Sequence, residues 1–214
     1  IYDGSILVSG TLRRDGSGIA YLAYPSALGP DSFTNSGLVE VLNGTLQIYA
    51  SGNHTGDFTT NLGASLELHA GSTFESGSEI SGSGEVLFAS GASVMKSGAH
   101  MTAGPRVTSG SLTFEPGSSL AYSGPLSMQN GSLILSTGAA KTLASLALTS
   151  GTITGTDSLT FTGDSTWTSG TISGTGTLTF GSKLDFLGSS TRTLTRPATF
   201  LGDVSVAGGN LFLG

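Results

Sequence analysis

Acidic side chains are the first residues to consider, because an enzyme that hydrolyses polysaccharides needs two carboxyl groups about 5–10 Å apart. The chain has 14 Asp and Glu residues among 214. Glu79 and Glu85 are the pair closest in register, yet they lie six positions apart, and Asp157 and Asp164 have no acidic residue nineteen positions later. We therefore expect solvent-exposed surface charges and a protein that is not an enzyme.

The three histidines, His54, His69 and His100, could supply imidazole ligands to a metal. Their spacing matches no metal-binding motif, and the chain contains no cysteine. Aspartate does not recur after the glycines as it does in calcium-binding nonapeptide repeats. No glycine-rich segment continues into Lys-Ser/Thr, as phosphate-binding loops do. We therefore expect surface histidines, no metal and no cofactor.

Tyrosines near the amino terminus are candidates for ligand contacts. Tyr2, Tyr21 and Tyr24 lie in a region that also contains Asp and Asn. Aromatic rings beside such polar groups suit the faces and hydroxyls of sugars, so these tyrosines predict a carbohydrate-binding site. Capping of the end of the core is an equally good interpretation of the same residues.

Hydroxyl side chains recur on either side of single apolar residues. If nineteen-residue repeats stack as β-strands, the hydroxyls lie about 7 Å apart along a strand and about 4.8 Å apart between strands. Regular threonine rows of this kind are typical of ice-binding β-solenoids, although threonine is also simply a polar residue well suited to strands. The residues concerned are Thr152, Thr154, Thr160, Thr171, Ser173 and Thr179.

The elements that carry these residues are visible in a near-repeat of nineteen residues. Thr149–Trp167 and Thr168–Phe186 share ten identical positions when aligned. A unit this short has one apolar face and no partner for it, so stacked copies must bury each other's side chains, as in solenoids. In that stack Ile172 points inward, and Trp167 packs in the core beside Phe186.

The same pattern continues in looser form along most of the chain. Short apolar–polar–apolar triplets such as Leu46-Gln47-Ile48 alternate with the period of a strand, and glycine-rich corners separate them. Strand spacing of six to eight residues is too short for most antiparallel sandwiches. Three such steps fill nineteen residues. The sequence therefore predicts an all-β fold, a parallel β-helix with three short strands in each coil of about 19–21 residues.

Composition excludes several classes of protein. Only 10% of the residues are charged, while 37% are hydrophobic and the mean hydropathy is +0.18, which favours an ordered fold over a disordered linker. The net charge of −6 argues against nucleic-acid binding, which needs clustered Lys and Arg. No segment is long and apolar enough for a membrane-spanning helix, so we expect no membrane insertion.

Several phrases resemble repeats of large bacterial surface proteins. Thr34–Leu46 is similar to an N-x-G-x-V-x-V-x-x-G-T-L opening, and Ile80–Val86 and Trp167–Leu178 are similar to two further phrases of those repeats. The resemblance covers most of the chain after residue 34. It implies a right-handed parallel β-helix like that of autotransporter passengers and filamentous-haemagglutinin-like adhesins.

The predicted organisation is a single domain. Residues 1–33 form an irregular amino-terminal segment, a loop or incomplete coils, because Tyr21–Phe33 contains two prolines and breaks the triplet pattern. Residues 34–214 form the β-solenoid. With the resemblance, we expect a structural stalk or adhesive fibre at the cell surface, part of a larger protein whose export signals lie outside this segment.

Two alternative functions use the same rod. One is a carbohydrate-binding adhesin module that contacts glycans through its tyrosines, and the other is an ice-binding solenoid that uses its threonine rows. The expected partners are surface glycans or other copies of the chain.

Overall fold

The computed structural model describes residues 4–23 and 32–214, and every regular element in them is a β-strand. No helix in these ranges is long and apolar enough to cross a membrane. The strands are β1 (Ser5–Val8), β2 (Thr11–Leu22), β3 (Ser32–Asn35), β4 (Leu38–Ile48), β5 (Gly52–His54), β6 (Asp57–Thr60), β7 (Ser65–Leu68), β8 (Ser72–Phe74), β9 (Glu79–Gly82), β10 (Glu85–Phe88), β11 (Ala92–Met95), β12 (His100–Met101), β13 (Pro105–Val107), β14 (Ser111–Phe114), β15 (Ser119–Leu120), β16 (Leu126–Met128), β17 (Ser132–Leu135), β18 (Lys141–Leu143), β19 (Leu146–Leu148), β20 (Thr152–Gly155), β21 (Leu159–Phe161), β22 (Ser165–Trp167), β23 (Gly170–Ile172), β24 (Leu178–Phe180), β25 (Leu184–Phe186), β26 (Arg192–Leu194), β27 (Ala198–Phe200), β28 (Val204–Val206) and β29 (Leu211–Leu213).

The strands stack in parallel on three faces, and each coil of the chain adds one strand to each face. The first face is an eleven-stranded sheet that runs from β1 to β29. The long strands β2 and β4 turn the corner between the other two faces. Leu38–Val41 of β4 pairs with β6 on the second face, and Thr45–Ile48 pairs with β7 on the third face. In the later coils the second-face position is taken by a separate four-stranded sheet, β18-β21-β24-β27.

The register of the first face gives the length of each coil. Thr152 pairs with Thr171 nineteen residues later, and Gly170 pairs with Arg192 at the largest spacing, 22 residues. Between β3 and β29 the chain completes about nine turns. The predicted all-β parallel solenoid is therefore confirmed, and the predicted offset between the two halves of the near-repeat is confirmed with it.

The amino-terminal segment expected to be irregular contains two of these strands. β1 pairs in parallel with β3, and β2 pairs in parallel with β4. The register of β2 shifts between Arg14 and Asp15 and again before Ile19. Within the described residues, 5–22 therefore belong to the stack.

The core is a continuous column of the inward side chains. Strand alternation places Ile153 and Ile172 inward on neighbouring coils, both almost completely buried. Trp167 is fully buried, and its ring centroid lies 5.7 Å from that of Phe186 in a T-shaped contact. The inward orientation of Ile172 and the core position of Trp167 are both as predicted. This apolar column is the main source of stability, because each coil covers the apolar face of the one before it.

Candidate functional site

The tyrosines predicted to contact ligands are only partly within the described residues. Tyr2 and Tyr24 lie outside them. Tyr21 points outward from β2 on the third face, is 51% exposed, and lies in register with Gln47. Its ring centroid lies 6.4 Å from that of Tyr49. The structure therefore brings Tyr21 together with a tyrosine that the sequence did not single out.

A polar network joins Tyr49 to the next two coils. The Gln47 amide donates to the Glu67 carboxylate at 2.7 Å, and the Tyr49 hydroxyl donates to Gln47 Oε1 at 2.9 Å. The rings of Tyr49 and His69 are stacked at 4.4 Å, and His69 Nε2 lies 3.1 Å from Glu67 Oε2. We call Tyr21, Gln47, Tyr49, Glu67 and His69 the amino-terminal patch. These polar groups bind one another, so the patch is already stabilised without a ligand.

The predicted threonine rows are present in the register of the sheets. On the first face Thr152 and Thr171 align and the row continues to Thr193. The position two residues along is less regular, since Thr154 aligns with Ile134 in the coil before it, and Ser173 follows the end of β23.

On the second face, Thr160 and Thr179 belong to a longer row. The register of the four-stranded sheet aligns the outward threonines of all four of its strands. The row is one residue wide, whereas the notebook of requirements for an ice-binding surface includes a flat array across many coils. Ice binding therefore stays a prediction. The aligned residues are Thr142, Thr160, Thr179 and Thr199.

His54 was expected on the surface, and this prediction is wrong. His54 is completely buried, because β5 places it in register with the inward Phe74 of the next coil. Its ring centroid lies 5.5 Å from that of Phe33, 5.0 Å from that of Phe58 and 5.2 Å from that of Phe74. The imidazole therefore fills a position in an aromatic cluster.

The hydrogen bonds of His54 define its tautomer. Nδ1 accepts the backbone N–H of Asn35 at 3.2 Å, so Nε2 carries the proton of the neutral ring. Nε2 is buried without a hydrogen-bond partner among the described residues. Burial lowers the pKa of His54 to about 4, because a charged imidazolium would lose its hydration. At neutral pH the residue is uncharged.

Asp157 was also expected to be a surface charge, and this is wrong as well. It is 4% exposed. Its carboxylate accepts the Thr137 hydroxyl at 2.7 Å, the Thr137 backbone N–H at 3.0 Å and the Gly138 N–H at 2.9 Å. Asp157 thus holds the corner of the preceding coil, and these donors compensate for the hydration that its carboxylate loses.

Two buried basic residues lie near Asp157. Burial lowers the pKa of Lys141, and the negative charge of Asp157 opposes that shift. Burial likewise lowers the pKa of Arg196, whose Nε donates to the Gly176 carbonyl at 2.7 Å and whose Nη2 donates to the Asp157 carbonyl. The cluster is enclosed by backbone, and its donors and acceptors serve the corners of successive coils.

Arg192 is a second buried cation, at a position where the preceding coil has Gly170. Its guanidinium lies 5.2 Å from the ring centroid of Phe186, a cation–π contact. All of its hydrogen bonds go to backbone carbonyls, which gather the chain around it. The acceptors are Trp167 at 2.7 Å, Ser190 at 3.2 Å, Gly208 at 3.0 Å, Gly188 at 3.3 Å and, from Nη2, Leu187.

A surface groove of about 330 Å³ lies at the corner between the second and third faces. Glu85, Arg106 and Tyr122, on three successive coils, are its largest polar side chains, and Arg106 Nη1 donates to Glu85 Oε1 at 2.8 Å. Sequence reasoning missed this groove, although the Tyr-Ser-Gly-Pro run from Tyr122 to Pro125 interrupts the triplet pattern there. The other lining residues are Gly82, Ser83, Gly84, Gly104, Pro105 and Ser127.

The remaining charges mostly join neighbouring coils in pairs. Arg13 Nε lies 2.9 Å from Glu40, and Lys96 Nζ lies 2.7 Å from Glu115. Glu79 and Glu85 stand on different faces, as the spacing indicated. In the described residues, no group of three or more His, Asp or Glu side chains is placed to hold a metal ion.

Comparison with known proteins places no relative beside this chain. No protein-family model, curated protein or solved structure matches it. The resemblance drawn from sequence phrases is therefore supported for the β-solenoid fold, while kinship with adhesins or autotransporters stays a prediction.

Proposed function

We propose that this chain is a non-enzymatic structural element: a β-solenoid rod that serves as a stalk or adhesive fibre in a larger exported cell-surface protein. One observation carries the proposal. The first face runs through eleven parallel strands, from β1 to β29, without interruption in its pairing.

This pairing suits a mechanical role. The hydrogen bonds between parallel strands point along the rod axis, so each coil is attached to the next on several faces. Ten spacings of about 4.8 Å give a rod roughly 50 Å long. Such a rod would keep whatever it carries at a set distance from the cell.

The use of the charged side chains also supports a structural role. Asp157 and Arg192 hold corners of the backbone, while Arg13 and Lys96 pair with acids of neighbouring coils. Catalysis needs acidic or basic groups that are available to a substrate. These groups are instead engaged in contacts within and between coils.

The surface location is tested on intact cells of the source organism with antibodies raised against the folded segment. We expect labelling before lysis and loss of the signal when the cells are treated with protease. An antibody against a cytoplasmic protein is the control for cell integrity. Signal that appears only after lysis would contradict the proposed location.

A further inference from the structure

The groove at the corner between the second and third faces contains an immobilised aromatic ring. Tyr122 packs against two glycines: a Cβ atom would lie 2.7 Å from the Tyr122 ring at Gly104 and 2.3 Å from the Tyr122 hydroxyl at Gly124. The Tyr122 hydroxyl donates to the Pro125 carbonyl at 3.0 Å. Backbone therefore fixes the ring at both its face and its tip, and the ring is partly buried before any ligand arrives.

An ion pair stands beside this ring. Glu85 and Arg106 lie on adjacent coils, and their side chains are 42% and 37% exposed. Glu85 is the one protein group that Arg106 bonds among the described residues, through Nη1. The guanidinium has five N–H donors and the carboxylate has several acceptor positions, so both groups retain hydrogen-bonding capacity toward a ligand.

The chemistry of the groove matches that of a sugar. A pyranose has an apolar C–H face, which packs on an aromatic ring, and an edge of hydroxyls, which both donate and accept. Tyr122 provides the ring, Arg106 donates and Glu85 accepts. Because the two charges cancel and Ser83 and Ser127 add only hydroxyls, the site favours an uncharged ligand.

We propose that this groove binds a neutral carbohydrate. Its volume of about 330 Å³ is near the lower end of the range for small-molecule sites and accommodates about one or two sugar rings. Tyr122 is the platform, and the Glu85–Arg106 pair orients the hydroxyls. The inference does not depend on the proposed cellular role, because a rod with any function could carry this groove.

The test uses the full chain on a printed array of neutral and acidic oligosaccharides. We expect wild type to bind neutral glycans and Tyr122→Ala to lose about tenfold or more in apparent affinity, as expected for a central aromatic contact. Tyr122→Phe keeps the ring and should stay within about threefold of wild type. Tyr21→Ala, in the amino-terminal patch, is the matched control and should bind like wild type.

A second variant covers the case in which Tyr122→Ala fails to fold, as judged by circular dichroism. Arg106→Leu removes half of a partly exposed ion pair, which costs only about 0–1 kcal/mol of stability, and should reduce apparent affinity about fivefold or more. Three results would overturn the proposal: no glycan retained by folded wild type, binding restricted to acidic glycans, or loss of binding in Tyr21→Ala while Tyr122→Ala binds normally.

Discussion

At the scale of single residues, the polar side chains inside the rod are each held by a definite set of backbone partners. Arg192 donates to carbonyls, Asp157 accepts from N–H groups of the preceding coil, and His54 accepts from Asn35. His54 differs from the other two because its Nε2 has no hydrogen-bond partner among the described residues. It is therefore the buried polar group most exposed to a change of pH.

The stability of the protein should depend on pH through His54. Its pKa is about 4 in the folded protein and 6.5 in the unfolded chain, so between these values only the unfolded chain binds the proton. Unfolding thus becomes easier as pH falls from 6.5 to 4, by about 3 kcal/mol. Above pH 6.5 this contribution is fully present.

Urea unfolding at pH 7, 5.5 and 4 measures this effect. His54→Phe fits the aromatic cluster and should lose about 3 kcal/mol less between pH 7 and pH 4 than wild type does. His100→Gln, at an exposed position, should follow the wild-type profile. Parallel profiles for wild type and His54→Phe would contradict the assignment.

At the scale of elements, the strands are short and the corners between them set the spacing of the coils. Gly155 and Gly174 occupy the same position of the near-repeat and have φ values of 121° and 107°. A Cβ atom would lie 2.0 Å from the Leu135 carbonyl oxygen at Gly155 and 2.1 Å from the Gly155 carbonyl oxygen at Gly174. Glycine is needed here for its conformation and also for the close approach of adjacent coils.

Two glycine-to-alanine substitutions separate these two requirements. Gly138 has a φ of 88° but open space around it, so Gly138→Ala tests backbone strain alone and should cost about 1 kcal/mol. Gly155→Ala adds a clash with the preceding coil and should cost about 3 kcal/mol or more. Thermal and urea unfolding measure both. Equal costs would show that the coils move apart readily.

At the scale of the whole molecule, stability is distributed along the rod, because each coil contacts mainly its neighbours. The amino-terminal half contains the aromatic cluster around His54. The carboxy-terminal half contains a stack of Phe161, Phe180 and Phe200, with ring centroids 5.4 Å and 5.7 Å apart. No single centre holds all the coils together, so we expect them to separate in sequence under load.

Single-molecule force spectroscopy measures this directly. When the rod is pulled from its two ends, one coil of about 20 residues should be released at each step, which lengthens the chain by about 65 Å. The regular increment follows from the similar length of the coils. A single rupture that releases the full length would show instead that the rod unfolds as one cooperative unit.

The sequence by itself determined the fold class, the coil length and the inward side chains of the near-repeat. The alternation around Ile153 and Ile172 is local, and a nineteen-residue offset aligns both in one core column, as the structure has them. Trp167 beside Phe186 follows from the same offset. These features could be predicted because strand period and repeat length are properties of the chain alone.

Only the tertiary structure decided which polar residues turn inward and where the groove forms. Coils vary from 19 to 22 residues in their register on the first face, and the corners absorb the difference. His54 points inward because β5 aligns it with Phe74, and Tyr122 packs on Gly104 eighteen residues before it. Such contacts join residues of different coils, so their partners depend on corner conformations that strand periodicity does not specify.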